Sequence, residues 1–140
     1  MKTNFKFKID KELDQVWDFL LDLEKCGKCM PGVVDVTLID DRTAEWILEV
    51  KLGFITKKIK LKTVLVDKTP KEKFSFHGES DMLDLDGEMI FIKQNTSTEL
   101  NVELNLKPKG SMAIIINNVI EKEFKDKNQE FIENVKKNIK

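Results

Sequence analysis

The chain has 140 residues, of which 41% are hydrophobic, and a chain of that length hides roughly 68% of the surface its unfolded form exposes, so one domain (1–140) with a sizeable core is expected. Lys and Arg (24) nearly balance Asp and Glu (25), which leaves no global field to hold a polyanion and excludes nucleic acid as an expected partner. The longest apolar run, around Ala113 to Ile116, falls far short of the roughly 20 residues that cross a bilayer.

Met1-Lys2-Thr3-Asn4-Phe5 passes straight into alternation, and the chain has only two cysteines, so a reducing cytoplasm is the expected compartment. Phe5, Phe7 and Ile9 alternate with Asn4, Lys6 and Lys8, the period of a half-buried strand. Asp10 is placed to cap a helix in which Leu13, Val16, Trp17, Leu20 and Leu21 share a face, with Glu12 and Asp14 in its first turn. Gly27, Pro31 and Gly32 then confine residues 22–30 to at most a second short helix.

From Val33 to Lys107 the period is two, interrupted at Asp40-Asp41, Gly53, Thr69-Pro70, Ser80-Asp81 and Asn95-Thr96, which predicts six strands. Their short connections require antiparallel neighbours, hence a meander that also pairs with the first strand. Alternation turns one set inward: Val34, Val36 and Leu38; Ala44, Trp46, Leu48, Val50 and Leu52; Ile59, Leu61, Thr63 and Leu65; Phe74, Phe76 and Gly78. It continues with Leu85, Gly87, Met89 and Phe91, then Thr98, Leu100, Val102, Leu104 and Leu106. The other face carries Lys58, Lys60, Lys62, Asp84, Asp86, Glu88, Asn101 and Glu103 and meets water.

No carboxylate, lysine, arginine or histidine falls on the inward face, which disfavours proton-transfer catalysis there. That face either closes on the last helix as a solid core or curves away to leave an apolar cavity, and alternation does not separate the two. Gly78 and Gly87 mark a bend, a close approach to the backbone, or merely weak strand positions.

After Lys107-Pro108-Lys109-Gly110 the period becomes 3.6. Ser111 is a plausible cap, and Met112, Ile116, Val119, Ile120, Phe124, Phe131, Val135 and Ile139 form one stripe on a helix about 40 Å long. Glu121 with Lys125, Glu123 with Lys127 and Glu133 with Lys137 are favourable i,i+4 pairs on the opposite face.

Cys26-x-x-Cys29 reads as a redox dithiol, as half a metal site, or as incidental to a turn from helix to sheet. A redox pair of the thioredoxin type opens a helix after a strand, whereas this pair follows a helix and ends at Pro31-Gly32; zinc would need about two further ligands, and the chain has one histidine, His77. The turn is the favoured reading, with both thiols reduced and no metal or cofactor expected. His77 points outward, and Lys57, Lys58, Lys60 and Lys62 are balanced across the sheet by Asp84, Asp86 and Glu88. Phe54-Ile55 and Met82-Leu83 interrupt the strand pattern and either cap the ends of the core or rim a pocket mouth beside Met30 and Pro31.

The element order, with Val16-Trp17, Leu20 and Asp22, then Cys29-Met30-Pro31-Gly32, Val50-Lys51-Leu52-Gly53, Gly78, Gly87 and Pro108-Lys109-Gly110, resembles the START-like (SRPBCC, polyketide cyclase-like) superfamily and, within it, the CoxG-like family of carbon monoxide dehydrogenase subunits. The resemblance implies an α+β helix-grip fold in the order β-α-α-β6-α, a curved seven-stranded antiparallel sheet wrapped around a long C-terminal helix with an elongated apolar cavity between them. It implies binding or carrying of a lipophilic small molecule, a quinone or another lipid. Trp46, Leu48, Phe54, Phe74, Phe76, Met82, Met89, Phe91, Met112, Ile116 and Ile120 are the expected ligand contacts, Pro31 and Gly32 a hinge at the pocket end, and Thr63 or Thr98 a partner for a polar head group.

Members of the family are associated with molybdenum-containing carbon monoxide dehydrogenase or related hydroxylases, which makes such a dehydrogenase an expected partner. Some carry a C-terminal extension linked to membrane attachment, which leaves peripheral membrane contact open. Cyclases and aromatases share the fold, so a positioning enzyme and a protein-interaction maturation factor are the alternative functions. A symmetric dimer is a common outcome for domains of this kind.

Overall fold

The computed structural model describes residues 1–140, in the order β1 (Lys2–Ile9), α1 (Leu13–Leu21), α2 (Leu23–Cys29), β2 (Val33–Asp40), β3 (Thr43–Leu52), β4 (Ile55–Thr69), β5 (Lys73–Glu79), β6 (Leu83–Gln94), β7 (Ser97–Pro108) and α3 (Ala113–Asn138). The strands form one antiparallel sheet in the order β1-β7-β6-β5-β4-β3-β2. This is the predicted meander, and β1 lies on β7 with Phe5 opposite Val102. Each turn falls where the alternation breaks; at the β3–β4 turn Gly53 takes φ +66°, a left-handed conformation that costs glycine nothing.

The sheet curves around α3, which crosses its concave face and meets β1, β7 and β3, while α1 and α2 close the same face further along. Ile9, Val16, Leu20, Trp46, Leu61, Phe76, Met89, Leu100, Val102 and Val135 are among the buried residues of one continuous core. The three buried polar side chains are Thr63, Ser97 and Thr98.

Several local expectations are corrected. Asp10 does not cap α1; its N-cap is Glu12, with no side-chain bond. β1 ends at Ile9, which pairs with Thr98, and the Thr98 hydroxyl donates to the Lys11 carbonyl at 3.0 Å, so residues 10–12 stay beside β7 and the helix begins two residues later than the sequence predicts. Met112, not Ser111, precedes α3, also without a side-chain cap. On β2, Val36 is buried, but Val34 and Leu38 are 54% and 48% exposed. That strand is the sheet edge and its register shifts twice against β3, which breaks the simple in-out alternation.

The charge pairs also differ. None of the three expected i,i+4 pairs on α3 forms; Lys127 instead meets Glu130 at 3.5 Å, as befits long side chains whose exposed pairing gains little. Asp84 and Asp86 are paired not with the β4 lysines but with Lys109 and Lys107, at 2.9 and 3.0 Å. The reason is strand order: β5 separates β4 from β6.

Candidate functional site

The wall of the site begins at the α2–β2 turn. Asp22 Oδ1 accepts the Glu24 and Lys25 backbone N–H groups at 2.9 and 3.2 Å, an N-cap that starts α2 directly after α1. Trp46 Nε1 donates to the Leu23 carbonyl at 3.1 Å, and the indole lies on α2 at Gly27. At the other end of α2, Asn134 Nδ2 donates to the Cys29 carbonyl at 3.0 Å. The Gly32 carbonyl accepts from Glu49 N–H at 2.8 Å. The segment Met30-Pro31-Gly32 is thereby held between α3 and β3.

Beside it, α3 does not close on the sheet along its whole length. Ile116 near one end and Phe131 and Val135 towards the other are buried, whereas Val119, Ile120 and Phe124 between them are half-buried. Opposite this middle stretch the sheet presents aliphatic side chains, Leu48, Leu61, Leu85, Leu104 and Leu106, and the gap is a cavity of about 520 Å³. That volume lies in the range of small-molecule sites.

The cavity brings together Pro31, Gly32, Trp46, Leu48, Ile116 and Ile120 of the residues singled out in the sequence. Phe74, Phe76, Met89 and Phe91 do not line it. They are buried under α1, where the Trp17 ring meets Phe91 and Phe74 at centroid distances of 5.1 and 5.8 Å, and Phe76 meets Trp46 at 5.8 Å. The concave face thus has two halves: an aromatic half filled by the short helices and an aliphatic half spanned by α3. Phe54 is fully exposed at the β3–β4 turn, and Met82 and Met112 are half-buried outside the cavity wall.

Other lining residues were not singled out as ligand contacts. Leu85, Leu104, Leu106 and Val119 come from the inward sets and the helix stripe, so alternation marked them as interior but not as lining a void, and Leu83 is the member of the Met82-Leu83 pair that reaches the cavity. Glu49, Lys51, Glu123, Lys127 and Glu130 form a charged margin, and Asn128 Nδ2 donates to Thr3 Oγ1 at 2.7 Å across the gap between α3 and β1. Neither threonine expected to meet a head group lines the cavity: Thr98 is committed to the Lys11 carbonyl, and Thr63 is enclosed on β4 with no partner for its hydroxyl.

The thiols of Cys26 and Cys29 are buried and unpaired. Burial pushes the Cys29 pKa up to about 11, and burial, with the repulsion of Cys29 and Asp22, raises that of Cys26 as well, the opposite of what an attacking thiolate needs. No group of three or more His, Cys, Asp or Glu is arranged to hold a metal ion.

This geometry agrees with the comparisons. No curated protein matches the chain significantly. Among solved structures, a conserved protein from Geobacillus kaustophilus superposes with a TM-score of 0.80 at 18% identity, over 99% of this chain and 95% of the other. A START superfamily protein from Mycobacterium smegmatis gives 0.78 at 9% identity, covering 99% and 96%. An aromatase/cyclase from Streptomyces sp. R1128 gives 0.63 at 13% identity, covering 96% and 93%. At such identities the likeness establishes the START-like fold alone. The family model for CoxG, a subunit of carbon monoxide dehydrogenase, matches residues 6–140, and the chain belongs to that family.

Proposed function

We propose that this protein binds and carries a lipophilic small molecule in the cavity beneath α3, as an accessory to a molybdenum-containing dehydrogenase of the carbon monoxide dehydrogenase type. The observation that carries the first half is the cavity itself: about 520 Å³, with 17 of its 26 lining residues hydrophobic. Burial of apolar ligand surface, at roughly 25 cal/mol per Å², would supply the affinity. The charged margin at Glu49, Lys51, Glu123 and Lys127 would keep a polar head group towards the opening. A quinone or another lipid with one polar end has that form.

Carriage over turnover is supported by where the ionisable groups stand: the inward-facing leucines of the sheet wall offer no general acid or base, and Glu49, Lys51, Glu123, Lys127 and Glu130 lie at the cavity's margin. Family membership supports the accessory role and the dehydrogenase as its beneficiary. Native mass spectrometry of the purified protein tests the reading. The expected result is a one-to-one adduct whose mass matches a lipophile recovered by organic extraction. Failure to take up any of a panel of quinones and lipids would overturn it.

A further inference from the structure

We propose that Thr3 and Asn128 form a head-group site in the cavity wall, selective for a lipophile whose polar end is an uncharged carbonyl or hydroxyl. The inference rests on the carrier reading and adds to it which end group the cavity takes. Both residues interrupt an apolar row. Thr3 precedes Phe5, Phe7 and Ile9 at a spacing of two on β1, so it belongs to the inward set, and it lies opposite Leu104 of β7, another lining residue. Asn128 stands four residues after Phe124 and three before Phe131, in the stripe of α3 that faces the sheet.

The two polar side chains meet. Each is half-buried, and Asn128 Nδ2 donates to Thr3 Oγ1 at 2.7 Å, which fixes both in place on the cavity wall. A tie between helix and strand uses only part of what they offer. Asn128 carries two N–H donors and a carbonyl oxygen, and Thr3 carries one O–H donor and two lone pairs. Their bond spends one N–H and one lone pair, leaving the Thr3 proton and the Asn128 oxygen without a protein partner. A ligand carbonyl would accept from the first, and a ligand hydroxyl would donate to the second.

Charge argues against an ionised head. The lining holds three carboxylates, Glu49, Glu123 and Glu130, against two lysines, and no arginine. Lys127 is held by Glu130 at 3.5 Å, and Lys51 is offset by Glu49 and Glu123 of the same margin. No cation is left to accompany a carboxylate or phosphate out of water, and an unaccompanied anion is strongly penalised there. The carboxylates themselves stand at the margin, away from the aromatic and leucine neighbours of Thr3 and Asn128, so a cationic head has no partner at the site either. An uncharged head that makes one or two hydrogen bonds recovers what it loses on leaving water.

The test uses the full chain and pyrene, a fluorescent hydrocarbon with no head group, displaced by alkyl competitors of similar length: methyl undecyl ketone, dodecyl alcohol, dodecanoate and dodecyltrimethylammonium. The ketone and the alcohol should displace pyrene at concentrations at least about ten-fold lower than either ion requires. Asn128→Leu and Thr3→Val should each weaken the ketone and the alcohol about ten-fold relative to pyrene, whereas Thr3→Ser, which keeps the hydroxyl, should retain the preference. Asn118→Leu, on an exposed position of α3 outside the cavity wall, should change nothing; thermal melts confirm that every variant folds. Displacement of pyrene by dodecanoate or dodecyltrimethylammonium as tight as by the ketone, or an unchanged preference in Asn128→Leu, would overturn the head-group site and leave the carrier reading standing. Failure to take up pyrene or any competitor would overturn both.

Discussion

The indole of Trp46 rests on Gly27: a Cβ at that position would sit 2.5 Å from Nε1 and 2.7 Å from Cε2. The glycine between the two cysteines therefore fixes the ring that separates α2 from the cavity, and Trp46 is both part of the α2 packing and part of the cavity wall. Gly27→Ala gains about 1 kcal/mol of helix propensity but forces the indole aside. The net expectation is a loss of about 1–3 kcal/mol, read from urea unfolding, with a shift in tryptophan emission. An unchanged midpoint would mean that Trp46 has room to move that the packing does not show.

The two halves of the concave face make opposite predictions. Ile120→Trp adds volume where α3 spans the void, so ligand uptake should be lost while stability stays the same or rises slightly. Phe91→Leu removes volume from the filled half, where Phe91 meets Trp17 at 5.1 Å. It should cost about 1–2 kcal/mol and leave uptake intact. Native mass spectra and thermal melts on the two variants distinguish the cavity from the core; uptake by Ile120→Trp equal to that of the parent would place the ligand elsewhere.

Much of this arrangement is legible in the residues. The five breaks, at Asp40-Asp41, Gly53, Thr69-Pro70, Ser80-Asp81 and Asn95-Thr96, locate the turns, because there the period of two fails, and the stripe from Met112 to Ile139 locates α3. What alternation cannot convey is which inward side chains meet a neighbour. Phe74 and Leu104 look alike in the sequence, but Phe74 lies under Trp17 and Leu104 faces open volume, a distinction set by where α1 and α3 cross the sheet. Gly87 shows the same limit. Alternation marks it as a bend, a close approach or a weak position, and it proves to be a close approach, because a Cβ there would collide with the Phe76 ring.

Thr63 is fully buried between Ala44 of β3 and Gly78 of β5, and its hydroxyl has no hydrogen-bond partner. An unpaired buried hydroxyl is a cost that an apolar isostere removes. Thr63→Val should therefore stabilise the protein by about 1 kcal/mol in urea titrations and leave ligand uptake unchanged. Weakened uptake would show that the hydroxyl reaches the ligand after all.

Cys26 and Cys29 should not react with an aromatic disulfide reagent until the protein unfolds, since both are essentially inaccessible. Their raised pKa values also set a direction. The unfolded thiols ionise near 9.0 while folded Cys29 holds its proton to about 11, so stability is fully present below pH 9 and falls as the pH rises through that interval. The double variant Cys26→Ala, Cys29→Ala should flatten this alkaline decline. A native protein that reacts at once, or an alkaline limb that persists unchanged in the variant, would contradict the assignment.

On the outer face, His77 Nδ1 meets Asp86 Oδ1 at 2.6 Å and Lys107 Nζ meets Asp86 Oδ2 at 3.0 Å. The hydrogen bond to Asp86 raises the His77 pKa above 6.5, against a smaller opposing effect of burial. For Asp86, burial opposes ionisation, but the bonds from His77 and Lys107 prevail and hold it below 3.8. The sign follows from linkage: the His77 contribution is complete below pH 6.5 and is lost as the pH rises through the higher folded value, and the Asp86 contribution is present above pH 3.8 and lost as the pH falls through its lower folded value. Because both side chains are partly solvated, the amplitude should be small, and the test is one of direction. Proton NMR of the single histidine should titrate above pH 6.5, and Asp86→Asn should bring the midpoint back towards 6.5 while removing the decline in stability on the alkaline side of it. A midpoint at or below 6.5 in the parent protein would show that the His77–Asp86 bond does not persist in solution.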